Sequence, residues 1–343
     1  RLVAAGARFA ESSGWENTSY FAPPDADIVY RYTYGRPDWF EFHAAEHHAV
    51  RRAVGLFDMS AMSKFLVQGP DAESLLNRLS GNDVAVPTGR CVYTQWMNER
   101  GGVMADVTIT RLGDDRFQVV VAEAFHRRVE SMLRRATPLG ARLYVTDVTS
   151  GFALLSVQGP RSRALLAELT TADLSNEAFP YLTAQQIDLH HARSLAVRMS
   201  FVGELGWELF VPTEFALGVY DRLVEAGDAH GLAHAGMATL ESTRTEAGRL
   251  DYGLDMENSD SPLEAGLKFA VDLDKPGGFV GRDALRVQYD QRPYTTRLVQ
   301  FLLTDPEPLL HGEEPILLGG DVAGYIRSGA YGHTLGGAMG FGY

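Results

Sequence analysis

Residues 67–84 read VQGPDAESLLNRLSGNDV, and residues 157–174 read VQGPRSRALLAELTTADL, identical at eight of eighteen positions with an offset of 90. In each copy a short apolar strand meets a Gly-Pro break, and a helix follows with leucines spaced one turn apart. Two copies predict duplicated α+β units packed as related halves, since a solenoid needs at least three repeats.

Around the repeat the pattern stays mixed. Residues 41–54 read as a helix ending before Gly55, 125–135, 215–226 and 239–247 as further helices, and 152–157 as a buried strand. Residues 108–109 and 117–121 read as strands joined near Gly113, and 195–201 with 207–211 as a hairpin around Gly203 and Gly206. From Arg297 the chain reads as strand and turn over 298–303, 314–318 and 322–327, with Gly319-Gly320 at a hairpin and 305–308 as a loop. These elements divide the chain into residues 1–290, holding the two related units, and a small β-barrel-like domain over 291–343.

The 343 residues suffice for two or three compact units. With 45% hydrophobic and 22% charged residues the composition is that of a globular protein, and no run approaches the roughly 20 apolar residues of a membrane span. A net charge of −13 argues against a nucleic-acid or anionic-membrane partner, both of which need a basic face. Lysine occurs only at 64, 268 and 275 against 28 arginines, which reads as coding bias. The single cysteine, Cys91, excludes an internal disulfide or a Cys-based metal centre and reads as a small buried hydrophobe. With no secretory leader, a cytoplasmic, bacterial location is expected, and the start at Arg1 is expected to reflect a trimmed N-terminus or a longer chain.

No G-x-G-x-x-G, P-loop or G-x-S-x-G segment is present, so a Rossmann nucleotide site, a phosphate loop and a hydrolase elbow are not expected. His43 and His47 lie four apart on one helix face, but without H-E-x-x-H the helix reads as an ordinary solvated amphipathic face and no metal is expected. Two segments place carboxylates among glycines and aromatics: YTQWMNERGGVMAD over 93–106 and SFVGELGWE over 200–208. Glycines beside a strand let a ligand approach, and the aromatics Tyr93, Trp96, Phe201 and Tyr252 are of a size to wall a flat ring or to fill a core. Taken separately, Asp106 and Glu208 also read as surface carboxylates at strand ends.

GARFAESSGWE (6–16), AVRRAVGLFDMSAMSKF (49–65), VYTQWMNERGGVMADVTITR (92–111), VGELGWELFVP (202–212), PLEAGLKFAVDLDKPGGFVGR (262–282) and SGAYGHTLG (328–336) together resemble the folate-binding aminomethyltransferase family of the glycine-cleavage T-protein. The FDMS segment is closer to the C-terminal folate half of dimethylglycine and sarcosine dehydrogenases. The resemblance runs from about residue 6 to the end and implies an α+β fold of three subdomains in a ring or cloverleaf, with tetrahydrofolate bound through the centre. Members usually continue past the position of Tyr343, so the C-terminus is expected to be cut.

The resemblance implies Asp106 as the catalytic carboxylate of GG-x-x-x-D and Glu208 as the pterin-binding glutamate of G-E-x-G-x-E. It carries Tyr93 and Asn98 over as cofactor contacts; Phe201 stands where a tyrosine is usual, and Leu240 where an arginine four residues before Arg244 is usual. Trp96 and Tyr252 complete the expected pterin walls. The implied activity is tetrahydrofolate-dependent one-carbon transfer, or demethylation, from a small methylated amine such as a methylglycine or betaine. Other readings are the folate module of a flavin dehydrogenase with a flavin domain or subunit upstream, a dimethylsulfoniopropionate-type demethylase, or a non-enzymatic folate-binding protein.

Overall fold

The computed structural model describes residues 1–26 and 33–343. Both repeats form the strand and helix read for them: Ser63–Gln68 leads into the helix Ala72–Leu79, and Phe152–Gln158 into the shorter helix Ser162–Ala167. The glycine at each break is required. Gly69 and Gly159 have φ of +125° and +131°, and a Cβ on either would lie 2.3 Å from a carbonyl oxygen, of Arg142 and of Ala53 respectively.

Each repeat lies inside its own sheet. The first sheet is antiparallel throughout, in the spatial order Cys91–Met97, Val103–Gly113, Arg116–Val121, Ser63–Gln68 and Tyr144–Asp147. The second runs Thr183–Leu189, Ala192–Arg198, Gly206–Pro212, Phe152–Gln158, Val54–Asp58 and Leu232–His234, with only the last pairing parallel. Side-chain alternation divides each strand between two faces. Val107, Ile109 and Phe117 pack with Leu75 and Leu76 of the helix Ala72–Leu79 and with Val129 and Leu133 of the helix His126–Ala136. Trp207, Leu209 and Val211 do the same against Leu165, Leu166 and Leu223. The opposite faces meet each other, where Cys91 and Val120 of one sheet join Phe57, Leu154, Leu195 and Phe210 of the other in a common core.

The C-terminal strands form a third, four-stranded antiparallel sheet in the order Val299–Leu302, Gly337–Gly342, Asp321–Gly332 and Pro315–Leu318. Its two outer strands do not pair, so the barrel-like closure expected for this region is absent among the described residues. Gly337–Gly342 escaped the sequence reading because its glycines carry little strand preference, yet it is buried along its length between two neighbours. Arg244, on the helix Met237–Glu246, ties this sheet to the rest. Its fully buried guanidinium pairs with Glu241 and Asp255, and Asp255 in turn accepts from the Ser328 hydroxyl.

The helix Phe40–Arg52 corrects the expectation of a solvated face, and it ends before the strand Val54–Asp58 rather than at residue 54. His43, Glu46 and His47 are buried. His43 and His47 both bond the Ser242 hydroxyl, at 2.9 and 2.8 Å, and His333 from the last hairpin reaches His43, Nε2 to Nδ1, at 3.1 Å. Neighbouring helices and the third sheet cover this face, which composition along one helix does not reveal. Cys91 is buried as expected, and burial pushes its thiol up to about 12. No helix among the described residues is long and apolar enough to cross a membrane.

Candidate functional site

The two facing sheets and the third sheet enclose a cavity of about 880 Å³. Strand parity decides what points into it. On Val103–Gly113, Val107 and Ile109 turn to the helices, so Asp106 and Thr108 turn to the cavity; on Gly206–Pro212, Trp207 and Leu209 turn away, so Glu208 faces in. The two carboxylates are therefore presented from different sheets, and neither is the surface group that its position near a strand end suggested.

Asp106 is held at both oxygens. Gln95 Nε2 donates to Oδ1 at 2.8 Å and Tyr93 Oη donates to Oδ2 at 3.1 Å. Burial pushes the Asp106 carboxyl up to about 7, against the two donors, which favour its ionised form. Tyr93 itself is driven well above the usual phenol range by burial and by the adjacent Asp106 charge.

Glu208 is 6% exposed and has no hydrogen-bond partner among the described residues. Burial raises its carboxyl to about 7, and the Lys64 ammonium opposes the rise. Lys64, fully buried, donates to the carbonyls of Ser60 at 2.9 Å and Met62 at 2.8 Å and reaches that of Thr149 at 3.4 Å. It thereby pins the turn whose Met59, Ala61 and Met62 form part of the cavity wall. Burial brings the Lys64 ammonium down to about 8, against the pull of Asp58, Asp147 and Glu208.

Of the seven residues expected from sequence, Tyr93, Asp106, Phe201, Glu208 and Tyr252 line this one cavity. Tyr252 packs against Phe125 with the rings tilted at 49° and their centroids 4.7 Å apart, and its hydroxyl accepts from Arg128 at 2.7 Å. Trp96 and Asn98 lie elsewhere. Trp96 is three residues from Tyr93 on one strand and so points to the opposite face, into the helix-side core, where its indole N–H meets the Ser80 hydroxyl at 3.0 Å. Asn98 closes the following turn: Oδ1 accepts from the backbone N–H of Arg100 and Gly102, and Nδ2 donates to Asn258 O at 3.1 Å.

Sequence reading missed Gln95, Lys64 and Arg249. Gln95 shares parity with Tyr93, which was signal enough; Lys64 and Arg249 acquire their positions only through long-range packing. Chemically the arrangement offers a carboxyl poised near neutrality, a second buried carboxylate with free acceptor capacity, and aromatic and aliphatic walls between them.

The sequence matches two family models, the GCVT N-terminal domain over residues 1–275 and the glycine cleavage T-protein C-terminal barrel domain over 296–343. It is 41% identical over 340 residues to 4-methylaminobutanoate oxidase (formaldehyde-forming) of Paenarthrobacter nicotinovorans, covering 99% of this chain and 41% of that protein. It is 33% identical to human mitochondrial sarcosine dehydrogenase, covering 100% of this chain and again 41% of the relative. An aminomethyltransferase of Saccharopolyspora erythraea is 35% identical over 334 residues, covering 97% of this chain and 85% of that one. Among solved structures, the glycine cleavage system aminomethyltransferase T from Bartonella henselae superposes with a TM-score of 0.83 at 25% identity, over 100% of this chain and 87% of the other. The chain thus spans about two fifths of the length of the oxidase and the dehydrogenase.

Proposed function

The chain belongs to the glycine cleavage T-protein family, and on that premise we propose that it transfers a one-carbon unit from a small methylated amine to tetrahydrofolate. The carrying observation is that Asp106 and Glu208, brought from two sheets, face one largely apolar cavity. Glu208 supports a reduced pterin as the ring-side ligand, because a buried carboxylate with no hydrogen-bond partner among the described residues matches the adjacent N–H donors on a pterin edge. Tetrahydrofolate, when bound, supplies the nitrogens that accept the one-carbon unit.

Glu208 fixes the ring's orientation by accepting both donors. Tyr93, Phe201 and Tyr252 exclude water from the ring's faces, and Asp106 receives a proton from the accepting amine. Its carboxyl, near 7, exchanges protons at neutral pH with little penalty in either direction. In its ionised form Asp106 also stabilises a cationic centre on the donor. With Glu123, Glu208 and Asp251 also on the wall, the cavity favours a cationic amine.

The span of about two fifths of an oxidase and a dehydrogenase supports the module reading, in which an oxidising domain or partner prepares the donor and this chain captures the one-carbon unit. A methylglycine or a methylaminobutanoate is the donor class we favour, and cytoplasmic placement goes with that reading. Tetrahydrofolate titration by calorimetry tests the proposal. Glu208→Gln should weaken binding about 10- to 100-fold, the range for leaving buried donors poorly paired; equal affinity would overturn the pterin assignment.

A further inference from the structure

The cavity wall holds four carboxylates, Asp106, Glu123, Glu208 and Asp251, but among the described lining residues only one cation, Arg249. Among the described residues, Arg249 is therefore the one cationic side chain on this wall that an anionic end of a ligand can meet. Arg249 is exposed at the rim, and its guanidinium makes no hydrogen bond or ion pair with any described residue.

Its main chain, by contrast, is clamped. The Arg249 N–H donates to Arg244 O at 2.9 Å, and the buried Arg244 guanidinium donates back to Arg249 O at 3.0 Å. Gly248, at φ +69°, makes the turn that brings residue 249 to the rim. Arg244 cannot serve a ligand, since Glu241 and Asp255 consume it, and Leu240 on the same wall contributes no charge. A fixed backbone carrying an uncommitted guanidinium at an acidic cavity is a suitable arrangement for capturing a carboxylate.

Building on the folate reading above, we propose that Arg249 is the carboxylate-recognition residue of this cavity. Two ligands of that reading carry the required group: the glutamyl tail of the folate and the carboxylate of an amino-acid donor. In either case Arg249 acts on binding and specificity and leaves the proton transfer at Asp106 untouched.

The test compares wild type with Arg249→Ala and Arg249→Lys by calorimetry at low and high salt, using tetrahydrofolate, 6-methyltetrahydropterin (which lacks the glutamyl tail), N-methylglycine and dimethylamine. The expected result is a loss of about tenfold or more for a carboxylate-bearing ligand in Arg249→Ala, partial rescue by Arg249→Lys, and a smaller difference at high salt. Unchanged 6-methyltetrahydropterin and dimethylamine must accompany it. Loss confined to tetrahydrofolate assigns the tail, and loss confined to N-methylglycine assigns the donor. Equal affinity of both variants for every ligand overturns the inference while leaving the folate reading intact, and so does an equal loss for 6-methyltetrahydropterin, which would place Arg249 in ring binding or folding. If wild type binds neither tetrahydrofolate nor 6-methyltetrahydropterin, the folate reading itself fails.

Discussion

Gln95 and Asp106 stand opposite each other on neighbouring strands, and Gln95 Nε2 donates to Asp106 Oδ1 at 2.8 Å. Burial raises the Asp106 carboxyl, and this bond is the first influence holding it down to about 7. Replacing Gln95 with leucine removes a donor to the ionised form. The acidic limb of the pH profile of kcat/KM for one-carbon transfer should then move upward by about one unit, the equivalent of a single charge-assisted hydrogen bond. An unmoved limb would separate Gln95 from the behaviour of Asp106.

Asp106→Asn should lower kcat by about 10²-fold or more, the usual worth of a positioned acid–base group, while tetrahydrofolate affinity changes little. The same change should stabilise the fold at high pH. A carboxyl raised to about 7 in the fold, against roughly 4 unfolded, favours the native state below about pH 4 and costs stability as pH rises toward 7. Thermal melting at pH 8 should show a gain on the order of 1–3 kcal/mol for Asp106→Asn, shrinking toward pH 4. A variant less stable than wild type at pH 8 would contradict the raised carboxyl.

The buried histidines have the opposite sign. Burial, reinforced by the neighbouring imidazoles, lowers His43 to about 3 and His333 to about 4. Unfolded imidazoles titrate near 6.5. Their contribution is thus complete above about pH 6.5 and is lost as pH falls toward 3 to 4, because the unfolded chain takes up the protons first. His47, His48, Glu246 and Arg36 act on the same cluster, with Glu246 alone favouring the protonated form of His333. In urea titrations between pH 7 and 4, His333→Phe should show a shallower fall of the midpoint than wild type, and parallel curves would exclude His333 as a contributor.

Gly159→Ala and Gly69→Ala should each cost more than about 2 kcal/mol, combining an unfavourable positive φ with a methyl driven against a carbonyl 2.3 Å away. Gly140→Ala, also at positive φ but with nothing within 4 Å, isolates the backbone share and should cost about 1–2 kcal/mol. Similar melting temperatures for the three would show that the close approach relaxes.

Much of the site follows from short-range rules. Once 91–97 and 103–113 are paired strands, Tyr93, Gln95 and Asp106 must share a face, and Trp96 must leave it. Naming Trp96 as a wall neglected that parity, and naming Asn98 took a turn-closing side chain for a ligand contact. The helix of His43 and His47 misled for a different reason. Its polar residues suit a solvated face equally well, and only the arrival of Ser242 and His333 from 199 and 290 residues away makes it an interior one.

By itself the sequence determined the duplicated strand-break-helix unit, the mixed fold, the family, and the two carboxylates worth attention, because these depend on local periodicity and on motifs that are contiguous in the chain. Only the tertiary structure decided that Asp106 and Glu208 face one cavity, that Lys64 lies buried near Glu208, that Arg244 is consumed by the core, and that Arg249 is the one cation on the cavity wall among the described residues. Each of these depends on which side chains from distant segments come within a few ångströms. Burial then changes their charge chemistry by removing water, and contact and desolvation are properties of the packed molecule that no stretch of sequence carries alone.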